Sequence, residues 1–291
     1  MKISYNEATA RDCSTLEKDL QLCEKTGFDY IEIRLDMLKK YLSEHTVDEL
    51  KQFFAVSHLK PHALNALYTY SELFSENDNP EKQKALMDEF LLGCKVGKQI
   101  GAHHFIVVPP LQRDPNGGPF AGRWEDTFRN CVRILMRLSD IARDYEINLC
   151  FELVGFERSS VRSVEQASAI IKAVNRDNVG FVFDSYNLYL NGQLNDFSII
   201  KTVDPQKIFA IHINNADDVP ILEMGQDKRC FCNTGPLNLA NFLGTLKEVG
   251  YNGMVSIETF RPEYWQQPAE WVVREAYQTT HDILKIHECL S

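Results

Sequence analysis

INLCFE (147–152) is a mostly apolar run that ends in a carboxylate, and the same construction returns three times further along the chain. The later runs read VGFVFD (179–184), IFAIH (208–212) and GMVSIE (253–258). Their last residues, Glu152, Asp184, His212 and Glu258, are all metal-ligand types, set 32, 28 and 46 residues apart. A strand, a helix and two loops occupy about 25 to 45 residues, so the four runs read as consecutive parallel strands. In a closed (β/α)8 barrel the C-terminal strand ends converge on one face. Three carboxylates and an imidazole meeting there would hold one divalent cation; Mn, Zn, Co and Mg all suit such a donor set.

Each residue also has an ordinary reading. Glu152 could be solvated at a barrel mouth, Asp184 could cap the turn that follows it, His212 could be a satisfied core group, and Glu258 could face the loop layer. Four such coincidences at strand-like intervals favour the joint reading, a metal centre.

The bulk of the sequence agrees with one large domain spanning 1–291, a barrel with a C-terminal helix extension. Its 291 residues are 44% hydrophobic and 25% charged, enough to bury a sizeable core. The net charge of −10 comes with no Lys/Arg stripe, which excludes nucleic acid as a partner. No apolar stretch approaches the roughly 20 residues of a membrane span. The start, MKISYNEATA, carries no signal-type apolar region, so the expected location is the cytoplasm, with eight reduced cysteines. Cys230-Phe231-Cys232 is a C-x-C without a companion pair, expected to be structural.

Strand and helix signals alternate from end to end. Strands are expected at 2–6, 28–34, within 58–67, at 103–109 and at the four runs above. Helices are expected around 14–26 (capped by Gly27), 80–100, 124–145, 163–175, 195–202, 236–249 and 268–287. The Pro- and Gly-rich segment 109–123 after the fourth strand is a candidate lid. Other strand ends supply polar groups to the same face: Asn6, Glu7, Glu32, Arg34, Asn65, Arg229 and Arg261. Glu32 with Arg34 could instead be an internal ion pair. Tyr5, Tyr68, Tyr186, Phe231 and Trp265 could wall the pocket, while Lys60 lies too early in its strand to serve there. Tyr264, Trp265 and Trp271 could either form homodimer contacts or cap the pocket.

Six segments now carry a family pattern: NEAT (6–9), LCEKTGFDYIEIR (22–34), HALNAL (62–67), AVNRDNVGFVFDS (173–185), IHINNADDVPI (211–221) and VSIETFRPEYW (255–265). The chain resembles the xylose-isomerase-like TIM barrels over nearly its full length, and within them the branch that isomerises inososes. FRPEY after the last glutamate and the acidic pair five and six positions beyond His212 are the most specific parts. The resemblance implies that Glu152, Asp184, His212 and Glu258 hold the metal. It also implies a cyclic polyol ketone such as 2-keto-myo-inositol as substrate, with Asn6, Glu32, Arg34, Asn65, Asn187 and Arg229 around it. Two departures stand out. Many relatives have a histidine where this chain has Asn187, and RCFCNTG (229–235) replaces a Pro-Gly-x-Gly turn. The DNA-repair branch of the family needs extra histidines. Here His45, His58, His281 and His287 fall away from strand ends, which speaks against it.

The chemistry so implied is proton transfer through an enediolate, with Glu258 as base and Glu152 as its counterpart. Epimerisation of a ketose, dehydration of an inosose or dehydroshikimate, and non-catalytic sugar binding are the alternatives on the same barrel.

Overall fold

The computed structural model describes residues 1–69, 79–112 and 118–290. Eight parallel strands close into a barrel: β1 (Lys2–Asn6), β2 (Tyr30–Arg34), β3 (Lys60–Tyr68), β4 (His104–Val108), β5 (Asn148–Glu152), β6 (Val179–Asp184), β7 (Ile208–Ile213) and β10 (Met254–Ile257). Closure is direct, since β1 pairs with β2 on one side and with β10 on the other. A two-stranded antiparallel ribbon, β8 (Asn215–Ala216) with β9 (Arg229–Cys230), follows β7 on the C-terminal face.

Helices α1 (Leu16–Thr26), α4 (Pro80–Ile100), α5 (Trp124–Asp144), α6 (Val164–Val174), α8 (Leu239–Glu248) and α10 (Ala269–Ile286) lie where their apolar periodicity predicts. Their ends follow local chemistry. Thr15 accepts from Lys18 N and Gly27 closes α1 at φ +104°, while Ser163 and Gln166 form a capping box on α6.

Three features differ from the sequence expectation. Two helices, α2 (Leu35–Tyr41) and α3 (Val47–Val56), fill the crossover between β2 and β3, where the sequence pattern predicts none. The helix expected at 195–202 is instead a 3-10 turn, Ser198–Thr202. There the Asp196 carboxylate takes the Ser198 amide, so a side chain competes with the helical ladder. Short helices α7 (Ser185–Leu188) and α9 (Pro262–Trp265) cap the mouth. Of the expected lid, residues 113–117 lie outside the described residues. Its flanks are tied to the loop after β5, through Gln112 N to Arg158 O at 2.7 Å and Phe120 N to Glu157 O at 2.9 Å.

Strand alternation decides what faces the barrel axis. On β5, β6, β7 and β10 the residues Leu149, Phe151, Phe181, Phe183, Ile211, Ile213, Val255 and Ile257 join the large core between barrel and helices. Cys150, Val182, Ala210 and Met254 form a smaller cluster inside the barrel. Glu152, Asp184 and His212 sit two residues beyond Cys150, Val182 and Ala210, so they share the inward parity, and Glu258 follows Met254 by four. Tyr5 has the outward parity of Ile3 and packs on Phe28 at 5.3 Å, so it does not wall the pocket.

Candidate metal centre and active site

The four strand-end residues converge. One ligand atom from each of Glu152, Asp184, His212 and Glu258 lies within 4.8 Å of all the others, and all four side chains are buried. Sheet register sets part of this, pairing Asp184 with His212 and His212 with Ser256, two residues before Glu258.

Burying three carboxylates is costly unless positive charge or donors answer them. Arg229 is the cation on hand. Its Nη1 lies 2.5 Å from Asp184 Oδ2 and 3.5 Å from Glu258 Oε2, and its Nε donates to Gln226. The guanidinium also rests over the Tyr186 ring, 4.9 Å from its centroid. Amides supply the rest. Asn6 Nδ2 donates to Glu258 Oε1 at 2.8 Å and to Glu32 Oε2 at 2.9 Å, and Asn65 Nδ2 reaches Glu32 at 3.2 Å.

His212 is held from behind. Its Nε2 faces Glu32 Oε2 at 3.0 Å, which assigns a ring proton to Nε2 and turns Nδ1 toward the carboxylates. Among the described residues that buried Nδ1 has no hydrogen-bond partner, lying 3.4 Å from Glu258 Oε2 and 3.8 Å from Glu152 Oε1. An orphaned imidazole nitrogen among three carboxylates is a donor set fitted to a divalent cation.

The two glutamates differ electrically. Burial pushes the Glu152 carboxyl up to about 7; the imidazole of His212 opposes this and the Glu258 charge adds to it. Burial acts on Glu258 in the same sense, but the charges of His212 and Arg229 outweigh it and hold Glu258 down at about 2. For His212, burial disfavours the charged ring, yet Glu258 and Glu32 together raise it well above the ordinary histidine range, so a cation that binds at Nδ1 displaces a proton there.

Several predicted residues take other positions. Arg34 pairs with Asp36 at 2.8 Å, not with Glu32, because Glu32 is already committed to His212 and the two amides. Asn187 donates to Glu152 Oε1 at 3.1 Å and accepts from Gly155 N at 3.1 Å, so both ends of its amide are used by the protein. Asp184 does cap the next turn, through Asn187 N at 2.8 Å, while its second oxygen meets Arg229. Glu7 points away and accepts from Arg34 N. Arg261 pairs with Asp217 at 2.8 Å, which joins the two most specific family segments into one clamp on the rim. Phe231 stacks on Tyr264 at 4.1 Å, and Tyr186 is buried with its hydroxyl on Gly225 O at 2.7 Å. All eight cysteines are free, and Cys230 and Cys232 are buried, in keeping with a structural C-x-C.

A cavity of about 840 Å³ opens on the C-terminal face. Its apolar wall includes Tyr68, Phe156, Phe260 and Trp265, and Arg11, Arg158 and Arg162 face Glu157, Glu223 and Asp227 around it. Sequence reasoning missed Arg158 and Arg162, which sit in a loop without periodicity. The rim carries balanced charge, which suits a neutral, hydroxyl-rich ligand.

The family described as xylose isomerase-like TIM barrel matches residues 20–276. An inosose isomerase of Halalkalibacterium halodurans is 37% identical over 288 residues, covering 99% of this chain and 98% of that protein. The chain belongs to this family. An inosose isomerase of Bacillus subtilis is 37% identical over 98% of each chain. The crystal structure of an IOLI protein with a bound zinc atom superposes with a TM-score of 0.88, at 36% identity and 99% coverage of both chains. The xylose isomerase-like chain described here therefore shares its whole length with isomerases, and its strand-end cluster lies on a scaffold that carries zinc in a relative. Among the described residues no helix is long and apolar enough to cross a membrane.

Proposed function

We propose that this protein is a metal-dependent inosose isomerase, moving the ketone of 2-keto-myo-inositol by one carbon. Full-length identity of 36–37% to inosose isomerases, on a barrel that brings Glu152, Asp184, His212 and Glu258 within 4.8 Å, carries the reading. A divalent cation held by these four groups supplies positive charge that polarises a ketone and offsets the negative charge of an enediolate.

The protein's own groups divide the proton work. Glu258 is ionised and its Oε1 is anchored by Asn6, so its second oxygen is the base for the proton on the carbinol carbon beside the ketone. The electron pair left behind forms the enediolate. The proton that Glu258 takes is returned to the former carbonyl carbon, with Glu152 as its counterpart across the cluster, while the hydroxyl proton passes to the other oxygen, so both carboxylates end as they began. Atoms balance, and the product is the isomeric ketone. Arg229 compensates Asp184 and Glu258 from behind, and Trp265, Tyr68 and Phe260 offer faces for the ring C–H surfaces.

The test is conversion of 2-keto-myo-inositol followed by NMR. Chelator-treated protein is expected to be inactive and to regain a second ketone isomer on adding zinc, manganese or cobalt. Metal-restored protein that binds the inosose without producing an isomer would overturn the proposal.

A further inference from the structure

The opposite end of the barrel holds a second cavity, of about 730 Å³. Its lining comes from the first residues of β1, β2, β3, β4, β7 and β10 and from the ends of α3 and α4, the N-terminal face of the barrel. That face ordinarily serves stability, and a cavity of ligand size is not needed there.

Its fixed charge is one-sided. Lys2, Lys51 and Lys60 line it together with three histidines, His62, His103 and His104, and no aspartate or glutamate is among its described lining residues, in a chain of net charge −10. Two of the lysines have partners elsewhere. Lys60 caps α3 through Phe54 O and Ser57 O, and Lys2 lies 3.6 Å from Asp29. Lys51 and His103 are exposed, and among the described residues neither side chain has a hydrogen-bond or ion-pair partner. They neutralise nothing that the fold itself supplies.

The histidines and aromatic rings give the cavity a body. His62 and His104 stack in parallel at 4.5 Å and 3°, with Tyr30 edge-on to His62 and Phe209 beside His104. The Nδ1 edge of His62 faces the barrel interior, 4.0 Å from Glu32 Oε1, which turns the other edge of the ring outward. Burial keeps both stacked imidazoles below the usual histidine range, His104 at about 4, so they form a flat, uncharged wall. Cationic tips around flat rings are the chemistry that recognises an anionic group on a planar or ring-shaped body.

We infer that this cavity binds a small organic phosphate, its phosphate held by Lys51 and His103 with Lys2 alongside, and its body against Tyr30, Phe54 and Phe209. Sugar phosphates and nucleotides share that chemistry. Calorimetric titration of the zinc-loaded full chain with glucose 6-phosphate and with AMP separates them, with glucose and adenosine as uncharged controls. One phosphate ester is expected to bind with one-to-one stoichiometry while its uncharged counterpart does not. Lys51→Glu, on an exposed and unpartnered side chain, is expected to weaken that binding about tenfold or more, with His103→Glu as the second variant. Glu258→Gln, at the other end of the barrel, is expected to leave it unchanged. Absence of binding by either ester at about 1 mM, or binding that survives both charge reversals, would overturn the inference. Loss in Glu258→Gln alone would place the phosphate at the metal centre and equally overturn it.

Discussion

Glu32 sets the orientation of the metal-facing histidine. Its Oε2 receives Asn6, Asn65 and His212 Nε2, so removing its charge frees the imidazole to turn or change tautomer. Glu32→Gln is expected to weaken zinc binding about 10- to 100-fold in chelator competition, and an unchanged affinity would contradict this role. Strand alternation places Glu32 inside the barrel, but alternation is silent about neighbours on other strands, and so the sequence reading assigned it to substrate. The Asn187 contact with Glu152 is hidden from the sequence for the same reason, since it crosses from one strand end to another. A pH effect also belongs here. A proton and a cation compete for Glu152, whose carboxyl is raised to about 7. Zinc affinity should therefore rise between pH 6 and pH 8, and a steeper dependence than in Glu152→Gln would identify the group.

Elements at the mouth frame the entrance to the metal centre. The RCFCNTG segment forms β9 and then turns at Gly235, with φ +134° and so little room that a Cβ would collide with the Asn215 side chain and the Ala216 carbonyl. Gly235→Ala is expected to cost about 1–3 kcal/mol in denaturant unfolding, with the loss felt at β8, next to His212. A neutral effect would mean the ribbon can shift freely. Arg261 and Asp217 close the same rim from the other side, so Arg261→Met should raise KM more than it lowers kcat. The strands and the long helices were legible because periodicity and caps coincide in them. The ribbon, the 3-10 turn at 198–202 and the loop arginines were not, because their hydrogen bonds run to side chains and distant loops.

Across the whole molecule, parity on eight strands explains most of what the sequence disclosed. One set of alternate residues builds the outer core, the other lines the axis, and the last inward residue of four strands is a metal-ligand type. The order of closure was implied only by that convergence. Away from the centre, Asp19 is fully buried with one oxygen on Ser14 and the other without a partner among the described residues, and burial raises its carboxyl to about 8. This pKa lies above the unfolded value, so the folded state binds the extra proton, and stability falls as pH rises from about 4 through about 8. Asp19→Asn should flatten that slope, raising the melting temperature at pH 8.5 with little gain at pH 5.

Hydrogen–deuterium exchange tests the central claim most directly. With 2-keto-myo-inositol in D2O and zinc-loaded protein, the account predicts deuterium at the carbon beside the ketone together with a second ketone isomer, both lost in Glu258→Gln. Isomer formation that persists in Glu258→Gln, or no exchange with any divalent metal, would contradict it.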